Sequence, residues 1–184
     1  GKEHGRRAAI LVAYGLVGAA LTFVAAHEVG HTLGLRHNFM SSGATPYDKL
    51  HDKATIDQIG MTGSVMDYPT PNVAKDSSKQ GYYYTPTVGT ADMWVIKWGY
   101  SPVEGANEKE QKKNLESIAA QCTEKGHLYG TDEDTYPMGA LDPRSNTNDL
   151  SDNPMAWAAE RMAICDEMLK GGKVVDRVVQ ENGD

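Results

Sequence analysis

A chain of 184 residues with 25 acidic and 18 basic side chains, net charge −7, is one domain or a piece of one, and is long enough to bury a core. The acidic balance and the lack of any Lys/Arg cluster argue against a nucleic-acid partner, which a basic patch would mark. Cys122 and Cys165 have neither C-x-x-C nor zinc-ligand spacing and are either two free thiols or one disulfide.

Gly1 to Gly5 show no signal-peptide cleavage pattern. From Ala8 to Ala26 run nineteen residues without a charge, which meets the length threshold for a membrane span. Seven of them are Ala and two are Gly, and the run passes without a break into the next helical pattern. It therefore reads as a buried helix, or two helical pieces bent near Gly15 and Gly18, in preference to a bilayer span.

Residues 27–37 read H-E-x-x-H-x-x-G-x-x-H. On a helix, His27 and His31 project from one face and two imidazoles converge on one ion, with Glu28 beside them. Gly34 leaves helical angles cheaply and lets the chain bring His37 round as a third nitrogen ligand. Three protein ligands leave a fourth position open, the mark of a catalytic zinc site, and Glu28 is placed to take the proton of a water there. At background usage of a few per cent per residue type, these five residues in this arrangement arise by chance in roughly one chain in a hundred thousand of this length.

A polar connection follows, with a short helix expected over Asp52–Ile59 and turns at Gly60 and Gly63. His51 reads as a surface residue, because the three-histidine motif fills the protein positions. In Ser64-Val65-Met66-Asp67-Tyr68-Pro69, Met66 taken alone is core filler and Tyr68 a buried ring with a satisfied hydroxyl. Pro69 and Pro71 send residues 70–74 past the site in extended form. The aromatic stretch 81–89 is a loop or short strand packed on the core. Thr90 is placed to cap a helix that Gly99 closes. Residues 108–124 suit an amphipathic helix burying Leu115, Ile118, Ala119 and Cys122, with Gly126 at its end. The acidic run 131–153 is rich enough in oxygen to raise calcium as a ligand, but it has no EF-hand spacing and reads as a solvated, turn-rich loop. A last helix starts at Pro154, with Met155, Ala158, Met162, Cys165 and Leu169 as its buried stripe and Gly171-Gly172 as its stop.

The extended histidine motif followed by a methionine turn resembles the metzincin clan of zinc endopeptidases. More narrowly, the run from His27 to Phe39, then SVMDYPTPN, DMWVIKWGY and YGTDED, is similar to a group of large bacterial metzincin-like proteases. The resemblance covers most of the chain after residue 20. It implies an α+β zincin fold of which this chain carries a mainly α part, residues 1–78 with the zinc helix and methionine turn and residues 79–184 as a helical subdomain, the clan's N-terminal sheet being absent from the chain. It also implies one catalytic Zn2+ on His27, His31 and His37, with Gly34 and Met66 structural at the site, Met66 lying beneath the metal. Glu28 would act as general base, and Tyr68 would approach the metal or the reaction intermediate. Further implications are a peptide or protein substrate, a pocket wall built by the segment after Met66, and an exported parent protein. With the sheet absent, residues 8–26 are expected to expose an apolar face and to support self-association. Two rival readings are a membrane-embedded zinc protein and a non-catalytic zinc-binding interaction module.

Overall fold

The first helix does not break at its glycines. In the computed structural model, which describes residues 2–136 and 142–170 and residues 2–12 by backbone alone, α1 runs unbroken over Lys2–Thr32. No neighbour would touch a side chain placed at Gly15 or Gly18, so nothing presses on the helix there, and the Thr22 hydroxyl donates to the Gly18 carbonyl at 2.9 Å. The helix stops by a Schellman motif. Gly34 sits at φ +82°, where a Cβ would be strained. The Gly34 and Leu35 amides donate back to the His31 and Gly30 carbonyls, both at 3.0 Å, and Leu35 drops onto the apolar cluster of Phe23, Val65 and Met66. The turn at Gly34 thus redirects the chain toward the face that His27 and His31 occupy.

The remaining α-helices among the described residues are α2 (Lys53–Ile59), α3 (Thr90–Tyr100), α4 (Glu108–Ala119), α5 (Asp132–Thr135) and α6 (Pro154–Lys170). No strand occurs among the described residues. Asp52 caps α2 by accepting from the Thr55 amide at 3.3 Å. A second apolar cluster joins Leu50, Ile56 and Met61 to Leu150 and Trp157, with Tyr47 and Tyr82 against it. It fixes α6 and the 142–153 segment to the chain that follows the zinc motif. The aromatic stretch is a loop, and Tyr84 stacks on Phe23 with ring centroids 5.7 Å apart.

Several expectations change. The run 8–26 is one helix but not a buried one: Tyr14, Val17, Leu21 and Val24, spaced three and four apart on one face, are all at least half exposed. By length and composition Ala13–Thr32 is apolar enough to cross a membrane. That window, however, contains His27, Glu28 and His31, which hydrocarbon would penalise.

Helix α3 has Gly89 and not Thr90 as its cap, the Asp92 carboxylate accepting from the Gly89 amide at 2.8 Å, and it runs past Gly99 to end before Ser101. Helix α4 gives way to a tighter turn at Ala120, which leaves Ala119 and Cys122 exposed, with only Leu115 and Ile118 half-buried. Both cysteines are free thiols.

The inward face of α6 is Trp157, Glu160, Arg161 and Ile164, while Met155, Met162 and Leu169 point to solvent. A charged pair faces inward because Glu160 bonds both Tyr47 and Arg161 and Arg161 lies over the Trp157 ring, 5.5 Å from its centroid. The stop assigned to Gly171-Gly172 lies outside the described residues. His51 is half-buried, its Nδ1 accepting from the Gly81 amide at 3.3 Å.

The 131–153 run is only in part a solvated loop. Asp132–Thr135 forms α5, Asp149 and Leu150 are buried, and the Asn148, Ser151 and Asp152 amides donate to the Tyr68, Ser42 and Thr45 carbonyls.

Candidate metal centre

The histidines on α1 are oriented by what their Nδ1 atoms meet. His27, buried on the underside of the helix, places Nδ1 2.8 Å from the Val65 carbonyl oxygen. His31, one turn on and exposed, places Nδ1 3.0 Å from the Leu35 carbonyl oxygen. A carbonyl only accepts, so each Nδ1 carries the proton and each Nε2 keeps its lone pair. His37 arrives from the far side of the Gly34 turn with Nδ1 2.9 and 3.1 Å from the two oxygens of Asp132, and the same tautomer follows. One ring nitrogen from each of the three lies within 4.8 Å of the others. With every Nδ1 engaged, the convergent atoms are the three Nε2.

Burial pushes His27 below the ordinary histidine range, only partly offset by its bond to Val65, and the His31 and His37 imidazoles push in the same direction. A neutral ring is the form that binds a cation. These residues therefore fit a zinc ion on chemistry as well as on spacing: three nitrogen donors, each ring held by a second hydrogen bond. The described residues offer no comparable group of acidic ligands for calcium.

Glu28 is the exposed neighbour of His27 on the same helix, and its negative charge acts on both His27 and Tyr68. The Tyr68 hydroxyl lies 2.7 Å from His37 Nε2. Its ring, 40% exposed, stacks on His27 with centroids 5.2 Å apart. Tyr68 is thus at the mouth of the site rather than a buried ring. Burial, first, and then the nearby Tyr136, Asp132 and Glu28 push its hydroxyl above the ordinary tyrosine range.

Met66 is fully buried beneath this face. Its sulfur lies 2.3 Å from where a Cβ on Gly30 would stand, so the glycine between the two motif histidines lets the methionine pack against the helix backbone. Gly30→Ala should force Met66 aside in a packed core and cost about 1–3 kcal/mol by urea unfolding. A variant as stable as the unaltered chain would show that Met66 repacks freely.

Three residues that the sequence did not single out hold the segment around Met66. Asn38, next after the third histidine and buried, gives its amide to the Met66 carbonyl at 3.0 Å. Its side chain bonds the Leu128 carbonyl and the Gly130 amide at 3.0 and 3.2 Å. Asp92 accepts from the Ser64 hydroxyl and from the Val65 amide. Asp67, fully buried, accepts from the Ser41 hydroxyl at 2.9 Å and its neighbour's amide at 2.7 Å. Burial pushes Asp67 up to about 7, and a carboxyl that holds its proton that far needs no counter-ion in the core.

A fourth residue, Asp132, bonds a motif histidine directly. In the sequence it stood out only as a member of the run Tyr129–Asp134 and of the acidic run 131–153. A groove of about 490 Å3 lined by Val88, Met93, Trp94, Lys97 and His127 contains none of these residues and is no part of the centre.

A helix-borne histidine pair and a third histidine returned by a glycine turn, with a methionine packed beneath them, form a group that could hold a metal ion. The chain belongs to the Met-zincin family, whose model matches residues 13–182. Membership implies a metalloprotease, with zinc as its metal and a peptide or protein as its substrate. No curated protein and no solved structure matches the chain.

Proposed function

We propose that the protein is a zinc-dependent endopeptidase in which His27, His31 and His37 hold the metal, Glu28 is the general base and Tyr68 assists at the carbonyl oxygen. The observation that carries this reading is the convergence of one ring nitrogen from each of three histidines whose rings are each fixed through Nδ1, with the exposed Glu28 on the adjacent helix position. A bound zinc would supply a Lewis acid for the scissile carbonyl and a lowered pKa for water. The Glu28 carboxylate takes a proton from the attacking water and delivers it to the leaving amine nitrogen. The Tyr68 hydroxyl donates to the carbonyl oxygen as it gains charge. Met66 keeps the floor of the site apolar.

We read the described helices as one part of an α+β zincin architecture, with the stripe Tyr14, Val17, Leu21 and Val24 as the face on which a sheet packs. An apolar stripe of this kind otherwise invites self-association. Calcium is not part of the reading. Purified protein should hold about one zinc per chain and cleave an unfolded protein substrate, with activity removed by a chelator and restored by zinc. Stoichiometric zinc with every substrate left intact would instead favour a non-catalytic binding module.

A further inference from the structure

Two of the three histidines are oriented by backbone carbonyls that the helix and the methionine turn supply whatever side chains surround them. His37 differs. Its Nδ1 faces a side-chain carboxylate 95 residues downstream, with both oxygens in range at 2.9 and 3.1 Å. That carboxylate is itself held, since the Thr131 hydroxyl donates to Asp132 Oδ2 at 3.2 Å. The Thr131 amide is fixed by Asp134 at 2.9 Å and the Tyr136 amide by the Asp132 carbonyl at 3.0 Å.

The segment is tied down on both sides of the ligand. On one side Arg36 bonds both oxygens of Glu133 at 2.7 and 2.9 Å. On the other the Phe39 amide donates to the Gly130 carbonyl at 2.7 Å and the Gly130 amide to the Asn38 side chain. His37 is thus gripped between residues 130 and 133.

We infer that Asp132 is the positioning residue of the third ligand: it holds the Nδ1–H tautomer of His37, fixes the ring plane and makes Nε2 a better donor to the metal. This deepens the reading above and rests on the three histidines binding zinc. A carboxylate on the remote nitrogen of a metal-bound imidazole is worth about 10- to 100-fold in metal affinity. The Arg36–Glu133 pair, with both side chains more than half exposed, anchors the segment but contributes little on its own. The two neighbouring acids therefore have separable roles.

The test is zinc affinity of the full chain by chelator competition, together with the visible spectrum of the cobalt-substituted protein, for Asp132→Ala, Asp132→Asn and Glu133→Gln. Asp132→Ala should bind zinc about 10- to 100-fold more weakly and alter the cobalt spectrum, while its melting temperature without metal stays near that of the unaltered chain. Asp132→Asn, which keeps an acceptor oxygen but not the charge, should fall between the two. Glu133→Gln should bind as the unaltered chain does. An Asp132→Ala variant that binds zinc within about twofold of the unaltered chain and gives the same cobalt spectrum overturns the inference. Should Asp132→Ala fail to fold, the Asp132→Asn variant decides, and equal affinity with an unchanged spectrum has the same consequence. An unaltered chain that takes up no zinc would instead refute the metal site itself, a distinguishable result.

Discussion

Replacing Glu28 with Ala is expected to lower peptide hydrolysis by about 100- to 10,000-fold, the usual contribution of a positioned general base, while zinc content stays at that of the unaltered protein. Both halves follow from geometry. The convergent atoms are imidazole nitrogens, so the carboxylate is not needed to hold the ion, and Ala is the best helix former at an exposed position. What the variant loses is the acceptor for the proton of the attacking water. Rates from a fluorogenic peptide, measured beside metal analysis on the same preparation, separate the two effects. A zinc-loaded Ala variant that cleaves at the unaltered rate would remove Glu28 from the mechanism, and one that loses the metal would make it a ligand.

Replacing His31 with Ala should abolish zinc binding and with it activity, without unfolding the chain. His31 is the clean choice among the three. Its ring is exposed and bonds only a carbonyl four residues on, whereas His27 is buried in contact with the core and its loss would also open a cavity. In the unaltered chain, zinc at 1,000 times its dissociation constant stabilises the fold by about 4 kcal/mol through mass action. A His31→Ala melting curve should not move on addition of zinc. If it shifts as far as that of the unaltered chain, His31 is not a ligand and the site must be rebuilt around other atoms.

What was legible in the sequence was local. His27, His31, Gly34 and His37 span eleven residues, and helical geometry plus one glycine turn is enough to converge them. The short helix expected over Asp52–Ile59, observed over Lys53–Ile59, was legible for the same reason. Residues that act over long separations were not. Asp132 meets His37 across 95 positions and Asp92 meets Val65 across 27, and a carboxylate in a turn-rich acidic run carries no periodicity that separates it from its solvated neighbours.

The misread face of α6 has another cause. Methionine and alanine fall on nearly every side of that helix, so the apolar stripe is poorly defined. The choice fell to Trp157, which offers the largest area, and to a Glu160–Arg161 pair whose burial is allowed by Tyr47. The exposed face of α1 was expected only from the resemblance, because an uncharged helix taken alone looks the same whether or not something covers it.

The spacing of the histidines has a consequence for how the protein folds. A metal tied to residues 27, 31 and 37 closes loops of only four and six residues, and the chain entropy removed from the unfolded state grows with loop length. Such an ion does little to knit together distant parts of the polypeptide. The order that brings Val65 beneath His27 and Asp132 behind His37 has to come from the apolar clusters and the buried bonds of Asn38, Asp67 and Asp92. The chain is therefore expected to fold without the metal, in contrast to small zinc modules that are unfolded until they are loaded.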